Sequence, residues 1–394
     1  MKKILTSLLI LTLTLTLSPP PPTLQAAPNI TAPIAIAVDF HTGEVLYERG
    51  ASDRWIPASI TKAMTAFITY QEMEAGRLAL DTPIQVSAAA AAFSSNARVS
   101  GAFVPLPKDE YITVDILLQL LMIPSANAAA VVLAEHISGS EAAFVERMNE
   151  TAESLGMYAE YTNAHGAYVH YSDAYSTAIL IREFISRYPD ILRITSKQSV
   201  HFNGTAYYNT NHLLSNSTID GFKTGSLRQA GWNHSSTAER NGRRVIAIVM
   251  NAADNESRQR QSRILLDYGF AELERREAER AEKARLFFRG RVIPTAPAIS
   301  RGRLMLPARS VLEVLGYSVQ WHNEHKIVIL TNENGANISL FVGRSLVSIN
   351  GTAHRLELPA EEIGDSVFVS MGLVALITDT TYDWNMETGV VRFD

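Results

Sequence analysis

The chain has 394 residues, too many for one small binding module and enough for two or three domains. Apolar residues make up 46 % and charged residues 19 %, with 22 Gly and 16 Pro, a globular composition that excludes disorder and fibrous repeats. The 35 Lys and Arg against 40 Asp and Glu leave a net charge of −5 with no basic stretch, which argues against nucleic acid and anionic membranes as partners, and the lack of cysteine removes disulfides, thiolate nucleophiles and thiolate metal sites.

Met1-Lys2-Lys3 is a basic start, residues 4–18 are an apolar Leu/Thr-rich run, and residues 19–27 are breaker-rich and end in Ala26-Ala27. This reads as a secretory signal over residues 1–27, because the run is shorter than the ~20 residues a spanning helix needs. The mature chain is therefore expected to be exported, outside the cytoplasmic membrane. Two short strands around His41-Thr42-Gly43 then read as a hairpin over residues 34–48. Pro57 opens a helical pattern over 58–74, and further helices are expected at 113–122, 126–137, 141–155 and 173–186. Strand character returns at 245–250, followed by a helix ending at Tyr268-Gly269. Strands at both ends with helices between predict an α/β (α+β) unit over 28–271, a mixed sheet flanked by helices with a helical lobe.

Residues 272–290 begin with a run of Glu, Arg and Ala that reads as a charged, solvated helical linker. Beyond it, residues 291–394 contain an internal repeat: 304–306, Trp321 and 327–329 align without a gap on 367–369, Trp384 and 390–392, at an offset of 63. Each copy reads as strand, helix, strand with a Trp, turn, strand. One copy is too small to bury a core, so the two should pack as a single duplicated α+β domain. Trp321 and Trp384 are read as core residues rather than sugar platforms, because they recur at the same place in both copies.

Three short motifs carry chemistry. Ser59 and Lys62 stand three residues apart at a helix start, so the amine can take the hydroxyl proton while the helix amino terminus favours an oxyanion. Ser125 and Asn127 follow Pro124 at another helix entry, offering a second hydroxyl and a carboxamide. Lys223-Thr224-Gly225, ahead of Ser226, gives a cation, a hydroxyl and a backbone that a substrate can approach. The ordered set S-x-x-K, S-x-N and K-T-G is the signature of penicillin-binding proteins and class A β-lactamases.

At this point residues 30–270 resemble the serine-type D-alanyl-D-alanine carboxypeptidases, the low-molecular-mass penicillin-binding proteins of peptidase family S11. The likeness extends to Thr42-Gly43-Glu44, Leu133-Ala134-Glu135-His136, Asn163-Ala164-His165-Gly166, Asn209-Thr210-Asn211-His212 and Ala230-Gly231-Trp232. One departure is Ala128, where the family usually has an acidic residue. The resemblance implies Ser59 as nucleophile, Lys62 as general base, and Ser125 as the relay to the leaving D-alanine. It further implies Asn127 on the peptide backbone, Lys223 and Thr224 on the terminal carboxylate with Arg258 as a further candidate, and an oxyanion hole from the N–H groups of Ser59 and Ser226. The implied partners are peptidoglycan stem peptides ending in D-Ala-D-Ala, with β-lactam antibiotics as covalent inhibitors and no cofactor.

Other readings are a D,D-endopeptidase of the same family, a class A-like β-lactamase, and a chiefly wall-binding protein. No metal site is expected: His165, His170, His201 and His212 show no H-E-x-x-H spacing, and no G-x-S-x-G points to an esterase. Residues 303–394 resemble the duplicated domain named for the amino-terminal region of copper amine oxidases, in Leu306-Pro307-Ala308-Arg309 and Val319-Gln320-Trp321. The name implies no copper here, and His322, His325 and His354 are scattered over turns. A cell-wall polymer or wall protein is the expected partner of this domain.

Overall fold

The computed structural model describes residues 26–94, 104–386 and 388–394. The expected secretory segment lies outside them except for its last two residues. Five strands form the sheet of the first unit, in the order Val45–Arg49, Ile34–Asp39, Arg243–Ala252, Gly231–Arg240, Ile219–Leu227. The α+β architecture matches the expectation, but the sheet is not mixed. All its pairings are antiparallel, because short turns join its last three strands and the amino-terminal hairpin docks head to tail on Arg243–Ala252. One of those turns is Asn241-Gly242, both at positive φ, the pair that a two-residue hairpin turn needs.

Alternation along the central strands sorts side chains to two cores. Ile36, Val38, Ile246, Ile248 and Met250 face the helical lobe and join Phe67 and Phe184. Ala35, Ala37, Val245, Ala247 and Val249 face Leu265, Leu266, Phe270 and Leu273 of one long helix. The lobe contains Lys62–Glu74, Val114–Met122, Asn127–Ser138, Glu141–Ser154 and Ala174–Arg187. Thr113, Ser140 and Asp173 cap three of these helices by accepting backbone N–H groups. Among the described residues no single helix is long and apolar enough to cross a membrane.

The long helix departs from its expected end. It runs unbroken over Asn255–Lys283. Gly269 is not its stop: a Cβ there would lie 2.7 Å from Val245 Cγ1, so glycine is what lets the helix lie close on the sheet. The segment after it is no solvated linker either. Leu273 is 1 % exposed and Glu272 and Glu277 are buried. Arg276 and Arg280 both reach Glu44 of the first hairpin, at 2.5 Å each, and Arg243 holds Glu277 at 2.6 Å. These partners come from distant sequence, which is why a local reading sees only solvated charge. Only Ala284 separates the helix from the strand Arg285–Phe288, which pairs in parallel with the last strand, Val390–Phe393.

The repeat has two-fold symmetry. Arg303–Pro307 pairs antiparallel with Ser366–Ser370, and Leu306 stands opposite Val369, its own counterpart at the offset of 63. Met305 opposite Ser370 is mirrored by Pro307 opposite Phe368, so a two-fold axis passes between Leu306 and Val369. Strands Ala298–Ser300 and Glu361–Ile363 flank this pair symmetrically. Helices Ala308–Val314 and Met371–Thr378 then close one shared core through Val311, Leu312, Leu373 and Val374. Trp321 and Trp384, expected inside it, are only half-buried at its edge, where each lines an open cleft. The outer sheets break the symmetry, because Val390–Phe393 recruits Arg285–Phe288 whereas Ile327–Asn332 continues into Asn337–Phe341.

The docking of residues 272–283 predicts that Leu273→Ala destabilises the full chain by about 2–5 kcal/mol, as loss of a fully buried leucine does. A thermal or denaturant melt checks this. A cost below about 0.5 kcal/mol, the value for an exposed spacer position, would contradict the docking.

Candidate active site

Ser59 sits on a single 3-10 turn, Ala58–Thr61, that runs directly into the helix Lys62–Glu74. This turn places the two side chains on one side, with Lys62 Nζ 3.0 Å from Ser59 Oγ. The amine also donates to Asn127 Oδ1 at 2.6 Å and to the His165 carbonyl at 2.5 Å. Lys62 is completely buried. Burial, reinforced by the Lys223 cation, holds its pKa well below the ordinary lysine value.

The second motif turns into the site through backbone conformation. Ser125 has a φ of 70°, in the left-handed region, and its buried Oγ has no hydrogen-bond partner among the described residues. Asn127 begins the helix that follows.

The third motif lies on Ile219–Leu227, the strand at the edge of the sheet. Gly225 lets this strand press against the turn bearing Ser59: a Cβ there would lie 2.5 Å from the Pro57 carbonyl and 3.1 Å from Ser59 N. Lys223 is 1 % exposed and donates to the Thr224 carbonyl at 3.1 Å. Burial first, and Arg258 second, bring its pKa down to about 7. Thr224 Oγ1 shares a 2.6 Å hydrogen bond with Thr210 Oγ1, and Ser226 is exposed at the rim.

Arg258, on the long helix, reaches the same place but is already engaged. It donates to the carbonyls of Gly225 and Asn233 at 3.1 and 3.2 Å and packs over Trp232. Its geometry is that of a strut tying helix to strand as well as a positive wall. Together Ser59, Ser125, Thr224, Gly225, Ser226 and Arg258 border one cleft of about 400 Å³, with Lys62, Asn127 and Lys223 immediately behind it.

Several contributors escape a reading by residue type. Thr210, His212, Trp232 and Asn255 also line the cleft. His165 serves through its main-chain carbonyl, which no side-chain motif can reveal. The loop that carries it is fixed by Asn163, whose Oδ1 accepts from Gly166 N at 2.6 Å. His170 in turn meets Thr61 Oγ1 at 2.6 Å. Gly166 lies so close to the Ala58 carbonyl that any Cβ would overlap it. Burial lowers His165 to about 3 and His170 to about 4, so both rings are neutral at pH 7 and serve as packing and hydrogen-bonding groups. Among the described residues no group of three or more His, Asp or Glu is placed to hold a metal ion.

Comparison with known proteins fits this geometry. Residues 22–254 match the D-alanyl-D-alanine carboxypeptidase family, and residues 288–393 match the copper amine oxidase N-terminal domain. D-alanyl-D-alanine carboxypeptidase DacD of Escherichia coli K12 is 32 % identical over 253 residues, covering 63 % of this chain and 65 % of that protein. DacF of Bacillus subtilis 168 is 31 % identical over 252 residues, covering 62 % of this chain and 63 % of its own length. The chain thus spans just under two thirds of the length of these relatives. Penicillin-binding protein D2 of Listeria monocytogenes, solved with cefotaxime bound, is 30 % identical and superposes over 62 % of this chain and all of that one, at a TM-score of 0.54. With the family match covering more than half of its residues, the chain belongs to the D-alanyl-D-alanine carboxypeptidase family, peptidase S11.

Proposed function

We propose that the protein is a serine-type D-alanyl-D-alanine carboxypeptidase that removes the terminal D-alanine from peptidoglycan stem peptides through an acyl-enzyme on Ser59. The observation that carries this reading is the buried Lys62 amine beside Ser59 Oγ, its pKa pushed well down toward the neutral form by burial and by Lys223. A neutral amine has two N–H donors and one lone pair. Asn127 Oδ1 and the His165 carbonyl take the two donors, so the lone pair is left for the Ser59 hydroxyl.

The chemistry follows. Ser59 Oγ attacks the carbonyl between the two D-alanines as its proton passes to Lys62. The N–H groups of Ser59 and Ser226 hold the oxyanion, aided by the helix amino terminus. Collapse breaks the C–N bond, and the proton returns through Lys62 and Ser125 to the leaving D-alanine nitrogen. Asn127 orients the peptide backbone, while Lys223 and Thr224 hold the terminal carboxylate, with Arg258 adding positive charge behind them. Water, deprotonated by the same amine, then hydrolyses the ester and frees the shortened peptide. Among the described residues no carboxylate lines the cleft, which favours a long-lived penicilloyl ester over β-lactamase turnover. Residues 28–271 are the proposed catalytic unit and 291–394 an accessory domain whose partner is wall polymer or a wall protein. The proposed location is outside the cytoplasmic membrane, where that substrate lies.

Penicillin is expected to add its mass once to the intact protein, and Ser59→Ala to abolish the adduct in mass spectrometry. An adduct that persists in the variant would refute the assignment. Lys62→Ala should slow acylation by about 10²- to 10⁴-fold, the usual cost of losing an acid–base group.

The two lysines also set the pH profile. Attack needs neutral Lys62 and is supported above its lowered pKa, whereas carboxylate binding needs Lys223 protonated and weakens as pH rises through about 7. KM for a peptide ending in free D-alanine should therefore rise above pH 7, and Lys223→Arg should move that rise to higher pH. The D-alanine amide should be cut poorly, with a KM that stays flat. Equal cleavage of acid and amide would favour the endopeptidase reading.

A further inference from the structure

The two clefts of the duplicated domain are copies of each other. The first, of about 380 Å³, has Met371, Tyr382 and Trp384 on one wall and Gly302, Arg303 and Leu304 on the other. In the second, of about 400 Å³, Ala308, Val319 and Trp321 form one wall and Asp365, Ser366 and Val367 the other. Each of these six residues of the first cleft stands 63 positions from its counterpart in the second, with the two repeats exchanging roles. That exchange is what the axis between Leu306 and Val369 requires, so the clefts follow from the fold's symmetry and not from surface accident.

They share a chemistry. Each sets a half-buried indole beneath a rim of guanidinium, carboxylate and hydroxyl groups. In the first cleft Arg303 and Glu357 pair at 2.6 Å, both more than half exposed, Ser370 lies beside them, and Tyr382 is 37 % exposed. Arg309 and Glu313 pair at 3.6 Å at the second cleft, with Ser310 and Ser366 adjacent. An indole offers an apolar face, and paired charges offer donors and acceptors side by side. A pyranose ring meets both, C–H groups on the indole and hydroxyl or acetamido groups on the rim. A purely apolar ligand would make no use of the polar rim, and in the second cleft a polyanion would meet Glu313, Glu362 and Asp365. The two clefts are not equal. Lys326, held by Glu362 at 2.9 Å, already lies over the Trp321 ring, whereas the Trp384 cleft is completed by His41 and Thr42 from the catalytic unit.

We propose that these clefts are paired subsites for the pyranose rings of cell-wall glycan strands, with the Trp384 cleft the stronger. Two weak sites favour a repeating polymer over a single sugar, since the second contact is made at high effective concentration. The choice of wall strand as the glycan rests on the carboxypeptidase reading, while the pyranose chemistry does not.

The test uses the full mature chain, peptide-free glycan strands prepared with an amidase, and the N-acetylglucosamine tetramer as a soluble probe. Binding is read by tryptophan fluorescence, by co-sedimentation with peptide-free sacculi, and alongside penicillin labelling of Ser59. Trp384→Ala should weaken strand binding about tenfold or more, Trp321→Ala about threefold, and the double variant should lose retention. Trp384→Phe should keep most of it, and labelling of Ser59 should not change. Protein blocked with penicillin should bind strands as well as free protein. Unchanged binding in the double variant, loss of binding on penicillin treatment, or binding only to a wall protein with bare strands unbound would each overturn the proposal. Arg303→Ala, on the exposed rim, keeps the question decidable if Trp384→Ala does not fold: about fivefold weaker binding is expected, and no change refutes it. Strand binding without any penicillin labelling would support the clefts while refuting the enzyme reading.

Discussion

A buried, uncompensated lysine amine is the constraint on which the catalytic unit depends. Lys62 is fully enclosed, and among the described residues its polar contacts are oxygens of a hydroxyl, an amide and a carbonyl, none of them charged. Among the described residues an ammonium ion there has no carboxylate partner and faces a second buried cation in Lys223, so burial and that cation both push the amine toward its neutral form. Keeping it neutral requires contributions from distant parts of the chain: the helix Lys62–Glu74, the helix entry at Asn127, the loop at His165, and the strand bearing Lys223. The fold is the means by which these four segments enclose one nitrogen.

Enclosure sets tight local conditions that explain otherwise unrelated residues. Gly225 and Gly166 both stand where a side chain would strike the turn around Ser59, one from the strand and one from the loop. Asn233 donates to the Ile56 carbonyl at 2.8 Å and accepts from Asn251 N at 2.9 Å, tying that turn to two neighbouring strands. Ala58 and Ser125 hold positive φ, a cost of order 1 kcal/mol or more for a residue with a Cβ, and both lie next to reacting groups. At these two positions the local backbone cost sits where placement matters to chemistry.

The sequence made much of this legible because much of it is local. Hydrophobic periodicity and capping residues located four of the lobe helices to within one residue at each end. The spacing of Ser59 and Lys62 is a property of one helical turn. What stayed hidden was tertiary. A main-chain carbonyl such as that of His165 has no residue-type signature, and Gly269 reads as a stop because glycine ends helices as readily as it permits close packing. The charges of residues 272–283 look solvated until Glu44 and Arg243, some 30 to 240 positions away, are brought beside them. Recurrence of Trp321 and Trp384 marked a shared structural position correctly, yet could not tell a core position from the wall of a cleft.

The helix Asn255–Lys283 links these observations into one mechanical statement. Its 29 residues make a rod of about 43 Å at 1.5 Å per residue. One end carries Arg258 into the Ser59 cleft, its middle lies on the sheet at Gly269, and its far end is clamped by Glu44 and Arg243 before passing straight into the carboxy-terminal sheet. No flexible tether intervenes, and Gly302 packs so near Thr42 that a Cβ there would lie 2.5 Å from its methyl group. The duplicated domain therefore meets the catalytic unit twice, through the continuous helix and where Gly302 packs on Thr42. A tether of the same length would let a bound polymer sample many positions around the enzyme. A rod docked at both ends restricts it to fewer, so a strand held in the clefts proposed above would reach Ser59 from a narrower range of directions.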